Sequence, residues 1–129
     1  MCREEGGTRI ASAHHSDDNA ETILLNLARG TGLRGLCGIR PVYGKWIRPL
    51  LGVSREEIES ALALAGIPWR QDLSNDEDVY TRNRIRHHIL PALQTQVNPE
   101  TARHLNELSR QAREVWDYLE RGVDEAWNR

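Results

Sequence analysis

Residues 8–13 (Thr-Arg-Ile-Ala-Ser-Ala) run without a break into His14-His15-Ser16-Asp17-Asp18 and then into an apolar repeat. This junction limits the possible folds more than any other part of the chain. The first six residues are short and loosely apolar, the pattern of a strand or a strand end. Beyond the polar turn, Ala20, Ile23, Leu24, Leu27 and Ala28 recur at helical spacing on one face. Asp18, with Glu21 three residues on, predicts a capping box at the start of that helix, and Gly30 predicts its end. Strand, polar turn and amphipathic helix in this order make one half of a βαβ unit, so an α/β class is expected.

The remaining elements are mostly helical. Residues 30–44 are glycine-rich and read as an irregular connection, and residues 46–51 as a short extended segment. Ser54 and Glu57 form a capping box for a helix carrying Ile58, Ala61, Leu62 and Ala65, which stops at Gly66 with Pro68 beyond. Residues 67–71 read as a short strand and 72–78 as a polar turn. A helix over about 79–90 is expected to bend or break at Pro91. Asn98 as N-cap and Pro99 at the first helical position open the longest helix, in which Leu105, Leu108, Ala112, Val115 and Leu119 form a seam for another helix. The strands are too few to build a parallel sheet alone, so the chain reads as a piece of a larger α/β domain.

Composition narrows the class. Hydrophobic residues at 39% and charged residues at 28% exclude a disordered chain, and no apolar run reaches the roughly 18 residues of a membrane span. Cys2 and Cys37 are too few for a disulfide framework or a zinc site, and a cytoplasmic location is expected. The formal charge of −2 hides an asymmetry: residues 22–55 contain no Asp or Glu but carry Arg29, Arg34, Arg40, Lys45, Arg48 and Arg55. Arg82, Arg84 and Arg86 with His87 and His88 form a second basic cluster. Arg supplies sixteen of the seventeen basic residues, and its planar fork suits bidentate phosphate contacts. Each cluster alone reads equally as a solvated face; two in so short a chain favour a polyanion partner.

Two constellations carry chemistry. In residues 13–22 (Ala-His-His-Ser-Asp-Asp-Asn-Ala-Glu-Thr), two imidazoles and two carboxylates stand where a strand turns into a helix, the place where open α/β sheets bind ligands. Such a set suits a Mg²⁺–nucleotide, while Asp18 and Glu21, three apart, can meet a cationic substrate. Taken singly, Asp18 and Glu21 read as helix caps and His14 as a core histidine. In residues 72–86, Arg82 and Arg86 are four apart and can face one anion, or the segment is a salt-bridged surface helix. Residues 29–38 are a weak candidate for a phosphate loop, because they follow a helix rather than open one.

Read together, these segments resemble the tRNA(Ile)-lysidine synthetase family of the N-type ATP pyrophosphatase superfamily. The resemblance rests on Ala-His-His-x-Asp-Asp-x-x-Glu-Thr (13–22), Arg-Gly-Thr-Gly-Leu-x-Gly-Leu (29–36) and Ile-Arg-Pro-Leu-Leu (47–51), followed by Asp-x-Ser-Asn (72–75), Tyr-x-Arg-Asn-x-Ile-Arg (80–86) and Pro-Ala-Leu (91–93), in that order. It covers about residues 9–125. It implies a partial Rossmann-like (adenine nucleotide alpha hydrolase-like) domain over residues 1–91, mostly helical here, and a helical linker region over 92–129.

The implied activity is ATP-dependent ligation of lysine to the wobble cytidine of the CAU anticodon of tRNA(Ile), through an adenylated intermediate. The implied cofactors are ATP and Mg²⁺, and the implied partners are that tRNA and free L-lysine. By position, His14 and Asp18 are the expected catalytic residues, with Asp18 also at the metal. Glu21 and Arg29 are expected to bind substrate, and Arg82, Asn83 and Arg86 to bind ATP. A homodimer through the helical seam is a further expectation. The superfamily's Ser-Gly-Gly-x-Asp-Ser loop occurs nowhere in the sequence, so the chain reads as a fragment with little activity alone. A thiolation-type ATP pyrophosphatase and a catalytically dead nucleic-acid-binding module are the alternatives.

Overall fold

The computed structural model describes residues 6–71 and 81–129. The polar turn expected at 72–78 and the helix start expected at 79 lie outside the described residues. In chain order the elements are β1 (Ile10–Ala11), α1 (Ser16–Arg29), α2 (Leu33–Leu36), β2 (Val42–Tyr43), β3 (Trp46–Ile47) and α3 (Arg55–Leu64). After them come α4 (Thr81–Arg84), a π-helical turn (Ile85–Ile89), α5 (Leu90–Gln96) and α6 (Thr101–Trp127).

The strand–helix reading holds. β1 lies parallel to β3 with Ile10 opposite Trp46 and Ala11 opposite Ile47, and α1 is part of the connection between them. β2 adds to the other side of β3 as an antiparallel partner. The hairpin between them turns at Gly44, whose φ of 58° suits a residue without Cβ. Residues 67–71, expected as a strand, form none. They are exposed and find no ladder partner among the described residues.

α3 follows its sequence signals closely. The Glu57 amide donates to Ser54 Oγ at 3.1 Å, and the Ser54 amide donates to Glu57 Oε2 at 2.8 Å. At its end Gly66 takes φ 68°, its amide bonds Ala63 O, and Ile67 N–H reaches back to Leu62 O, the paired bonds that close a helix on glycine.

α1 starts earlier than expected. His15 is the N-cap, and Asp18, not Glu21, returns its carboxylate to the cap amide at 2.9 Å. Its buried residues are Asn19, Ala20, Glu21, Ile23 and Leu25, whereas Leu27 and Ala28 are exposed. Polar residues enter the buried face because α1 is joined to α6 largely by hydrogen bonds. Asn19, 1% exposed, donates to Asn106 Oδ1 at 2.8 Å and accepts from Ile39 N–H at 2.8 Å. Asn106 donates to Ser16 O at 2.9 Å, and Ser109 to Cys37 O at 2.7 Å. Gly38 (φ 62°) sits in this seam, where a Cβ would overlap the Asn19 side chain.

α6 therefore meets α1 and α2 through Asn106, Ser109 and Arg113 together with Ala112, the one member of the expected seam that is buried. Leu108, Val115 and Leu119 are left about half exposed. Small and hydrogen-bonding residues win this face because the helix approaches the Gly38 turn closely. Asn98 does cap the approach to α6, its Oδ1 accepting the Glu100 amide at 2.9 Å, although regular helical bonding begins only at Thr101.

Candidate functional site

The α1 N-terminus, the start of α3, Arg70 and the π-turn/α5 segment surround a cavity of about 780 Å³. Two local features bring α1 and α3 together. Ser16 N–H donates to Val53 O at 2.9 Å, and the Asp17 carboxylate accepts the Arg55 amide, the first of α3, at 2.9 Å. A carboxylate at that position also complements the positive end of the α3 dipole.

Glu21 is 2% exposed, and both its oxygens accept from Arg86: Nε at 2.9 Å and Nη2 at 3.0 Å. Arg86 Nη2 also lies 3.3 Å from Asp18 Oδ1. The hydrogen bonds to Glu21 push the Arg86 pKa above its ordinary value, against the opposing effect of burial, with Asp18 and Asp17 adding to the rise. Asp18 Oδ2 holds the His15 amide, and His15 Nε2 stands 3.5 Å from the same oxygen. His14 is exposed, with Nδ1 2.7 Å from Ser12 Oγ.

Of the residues singled out from the sequence, His14, Asp18, Glu21 and Arg86 line this one cavity. Arg82 and Asn83 are not in its lining. Arg82 Nη1 lies behind the first turn of α1, 3.5 Å from Asp18 O, and Asn83 is buried in α4. Arg29 is exposed at the far end of α1, roughly 16 Å along the helix axis from Asp18. Sequence reasoning missed Arg55 and Arg70 as lining residues, together with Leu90, Pro91 and Gln94, while Asp17 belongs to the expected turn constellation. Arg55 had a usable signal, since it directly follows the Ser54 cap of a helix that starts just after an extended segment.

The PP-loop domain family matches residues 1–93, more than two thirds of the chain. The chain belongs to the PP-loop domain family. It is also similar to proteins named tRNA(Ile)-lysidine synthase: 45% identical over 123 residues to that of Caldanaerobacter subterraneus subsp. tengcongensis (95% of this chain, 26% of the relative). The Bacteroides thetaiotaomicron protein of the same name is 46% identical over 128 residues (98% and 30%), and that of Chlorobaculum tepidum 42% over 120 (93% and 36%). The chain thus spans about a quarter to a third of the length of these relatives.

PP-loop membership implies ATP use, and the three guanidinium groups in the cavity lining are of the right kind for phosphate oxygens. A protein-built Mg²⁺ site fits less well. Among the described residues no group of three or more His, Cys, Asp or Glu is arranged to hold an ion, and both Asp18 oxygens already accept hydrogen bonds. No described helix of this PP-loop chain is long and apolar enough to cross a membrane.

Proposed function

We propose that this chain is part of the catalytic domain of a tRNA-modifying ligase that joins free lysine to the wobble cytidine of a CAU-anticodon tRNA(Ile). The observation that carries this reading is the mixed lining of the cavity. Carboxylates of Asp17, Asp18 and Glu21 stand beside the guanidinium groups of Arg55, Arg70 and Arg86, and Leu90 and Pro91 add an apolar wall. A molecule with an ammonium, a carboxylate and an aliphatic stem matches that set, and lysine is such a molecule. The relatives' names and the PP-loop match support the same assignment.

In this reading the cytidine C2 oxygen attacks the α-phosphorus of ATP and pyrophosphate leaves. The lysine ε-amine then attacks C2, loses a proton, and AMP departs with the oxygen. Arg55 and Arg70 attract the phosphates by charge, with His14 at the same exposed rim. Asp18 and Glu21 hold the amine end of lysine, and Arg86 fixes the position of the Glu21 carboxylate. Arg82 and Asn83 act from behind α1, and Arg29 reaches tRNA backbone at a distance from the chemistry. Residues 1–91 belong to the catalytic unit and 92–129 to a helical linker region.

The test is ATP-dependent incorporation of labelled lysine into a CAU-anticodon tRNA(Ile) by the natural full-length polypeptide. The Asp18→Ala variant runs beside it, checked for fold by circular dichroism. Incorporation lost at least a hundredfold in the variant is expected. A folded, ATP-binding wild type that incorporates no lysine overturns the assignment. Salt-dependent tRNA binding without chemistry would then make the chain a binding module.

A further inference from the structure

We infer that Pro91 is a positioning residue: it keeps the turn at Ile85–Ile89 wide and so aims Arg86 at Glu21 and Asp18. The inference rests on the reading of this cavity as the amino-acid site. Residues 81–96 form one helical run in which α4, the π turn and α5 follow without a break. The Leu90 amide donates to Ile85 O, five residues back, rather than to Arg86 O. Single π turns of this kind are rare and tend to occur at functional sites.

Proline explains the wide turn. In a regular α-helix the Pro91 ring would press on the carbonyl four residues earlier, that of His87, and it has no N–H to donate. A bland alternative is that Pro91 merely opens α5, where proline is tolerated. The backbone argues against a fresh start, because Ile89 (φ −78°, ψ −56°) and Leu90 (φ −62°, ψ −45°) are already helical. Leu90 keeps that conformation despite preceding a proline, which disfavours it.

The wide turn changes what faces inward. Residues five apart on an α-helix are separated by about 140°. Across a π turn they come nearly into line, as the bond from Leu90 to Ile85 shows. Ile85 and Leu90 are 6% and 5% exposed, so both are buried. With α5 held in place by Leu90, narrowing the turn would swing Ile85 and Arg86 by roughly 100°, the angle of one residue. That would break the 2.9 and 3.0 Å bonds to Glu21 and leave a buried carboxylate without its partner. Pro91 itself lines the same cavity as Arg86 and Gln94, so cause and effect lie at one site.

The test follows the Arg86 side chain directly, by ¹H–¹⁵N spectra of the arginine Nε–H groups in this chain. The wild type should give one shifted, slowly exchanging Nε–H signal that Arg86→Lys removes. Pro91→Ala should lose it, and Pro91→Ala combined with deletion of His88, which takes the extra residue out of the turn, should restore it. In the natural full-length polypeptide, Pro91→Ala should raise the KM for lysine at least tenfold and leave the KM for ATP within about twofold. A Pro91→Ala protein that keeps the signal overturns the inference. So does a folded double variant that lacks it, or a double variant that unfolds together with the single one. A wild type with the signal but no lysine incorporation sinks the functional reading while leaving Pro91's role to the spectra.

Discussion

α1 and α3 both begin with a carboxylate folded back on the cap amide, yet the two starts are built differently. In α3 the device is complete within four residues: Ser54 and Glu57 exchange bonds, and the Glu57 carboxylate stays in solvent. The α1 start draws on distant segments. Asp18 returns to the His15 amide but is also touched by Arg86, Asp17 spans to the Arg55 amide, and Val53 O takes the Ser16 amide. A carboxylate in a first turn serves its own helix only while nothing stronger competes for it. Glu21 was available to cap and was taken by Arg86.

That difference can be broken by substitution. Arg86→Met should cost most, roughly 3–5 kcal/mol, because it strands a buried carboxylate. Glu21→Met together with Arg86→Met should recover much of that loss, read as the midpoint of urea unfolding. Asn19→Ala comes next at about 1–3 kcal/mol, since it orphans the Ile39 amide and a donor–acceptor pair with Asn106. Ser54→Ala should cost only about 1 kcal/mol, with faster amide exchange confined to the first turn of α3. Equal losses for Ser54→Ala and Arg86→Met would erase the distinction between the two helix starts.

Acid gives the smallest and sharpest test. Bonds from the Ser54 amide and hydroxyl hold the Glu57 pKa below its ordinary 4.5. Its contribution is therefore fully present above 4.5 and lost as pH falls through the lowered value. Amide exchange at the start of α3, corrected for intrinsic rates, should quicken in that range and not above it.

Local signals were legible and long-range ones were not. The β1–turn–α1 junction, the Ser54–Glu57 box and the Gly66 stop could each be read from a few adjacent residues, whereas the helix expected to bend or break at Pro91 runs on through it after a π turn. The sequence signals place the start of α1 three residues late, because choosing between Asp18 and Glu21 requires knowing where Arg86 sits, 65 residues beyond Glu21. The leucine repeat of α6 has the right period, but Asn106 and Ser109 win the buried face by bonding Ser16 O and Cys37 O. Within the candidate site, His14, Asp18, Glu21 and Arg86 could be gathered from motifs. Arg70 could not, since it reaches the cavity only through the packing of the segment after α3, whereas Arg55 could be read from its place directly after the Ser54 cap.

The bond from Asn106 to Ser16 O spans 90 positions, and those from Arg86 to Glu21 span 65. Ribosomes add roughly 5–20 residues per second, so α1 leaves the exit tunnel on the order of ten seconds before its last partner exists. Until then a 14-residue helix with Asn19 and Glu21 still hydrated is of marginal stability in water. During synthesis, α1 is therefore the segment that waits longest in a half-made state, and a slowed or stalled ribosome would prolong that exposure for α1 above all.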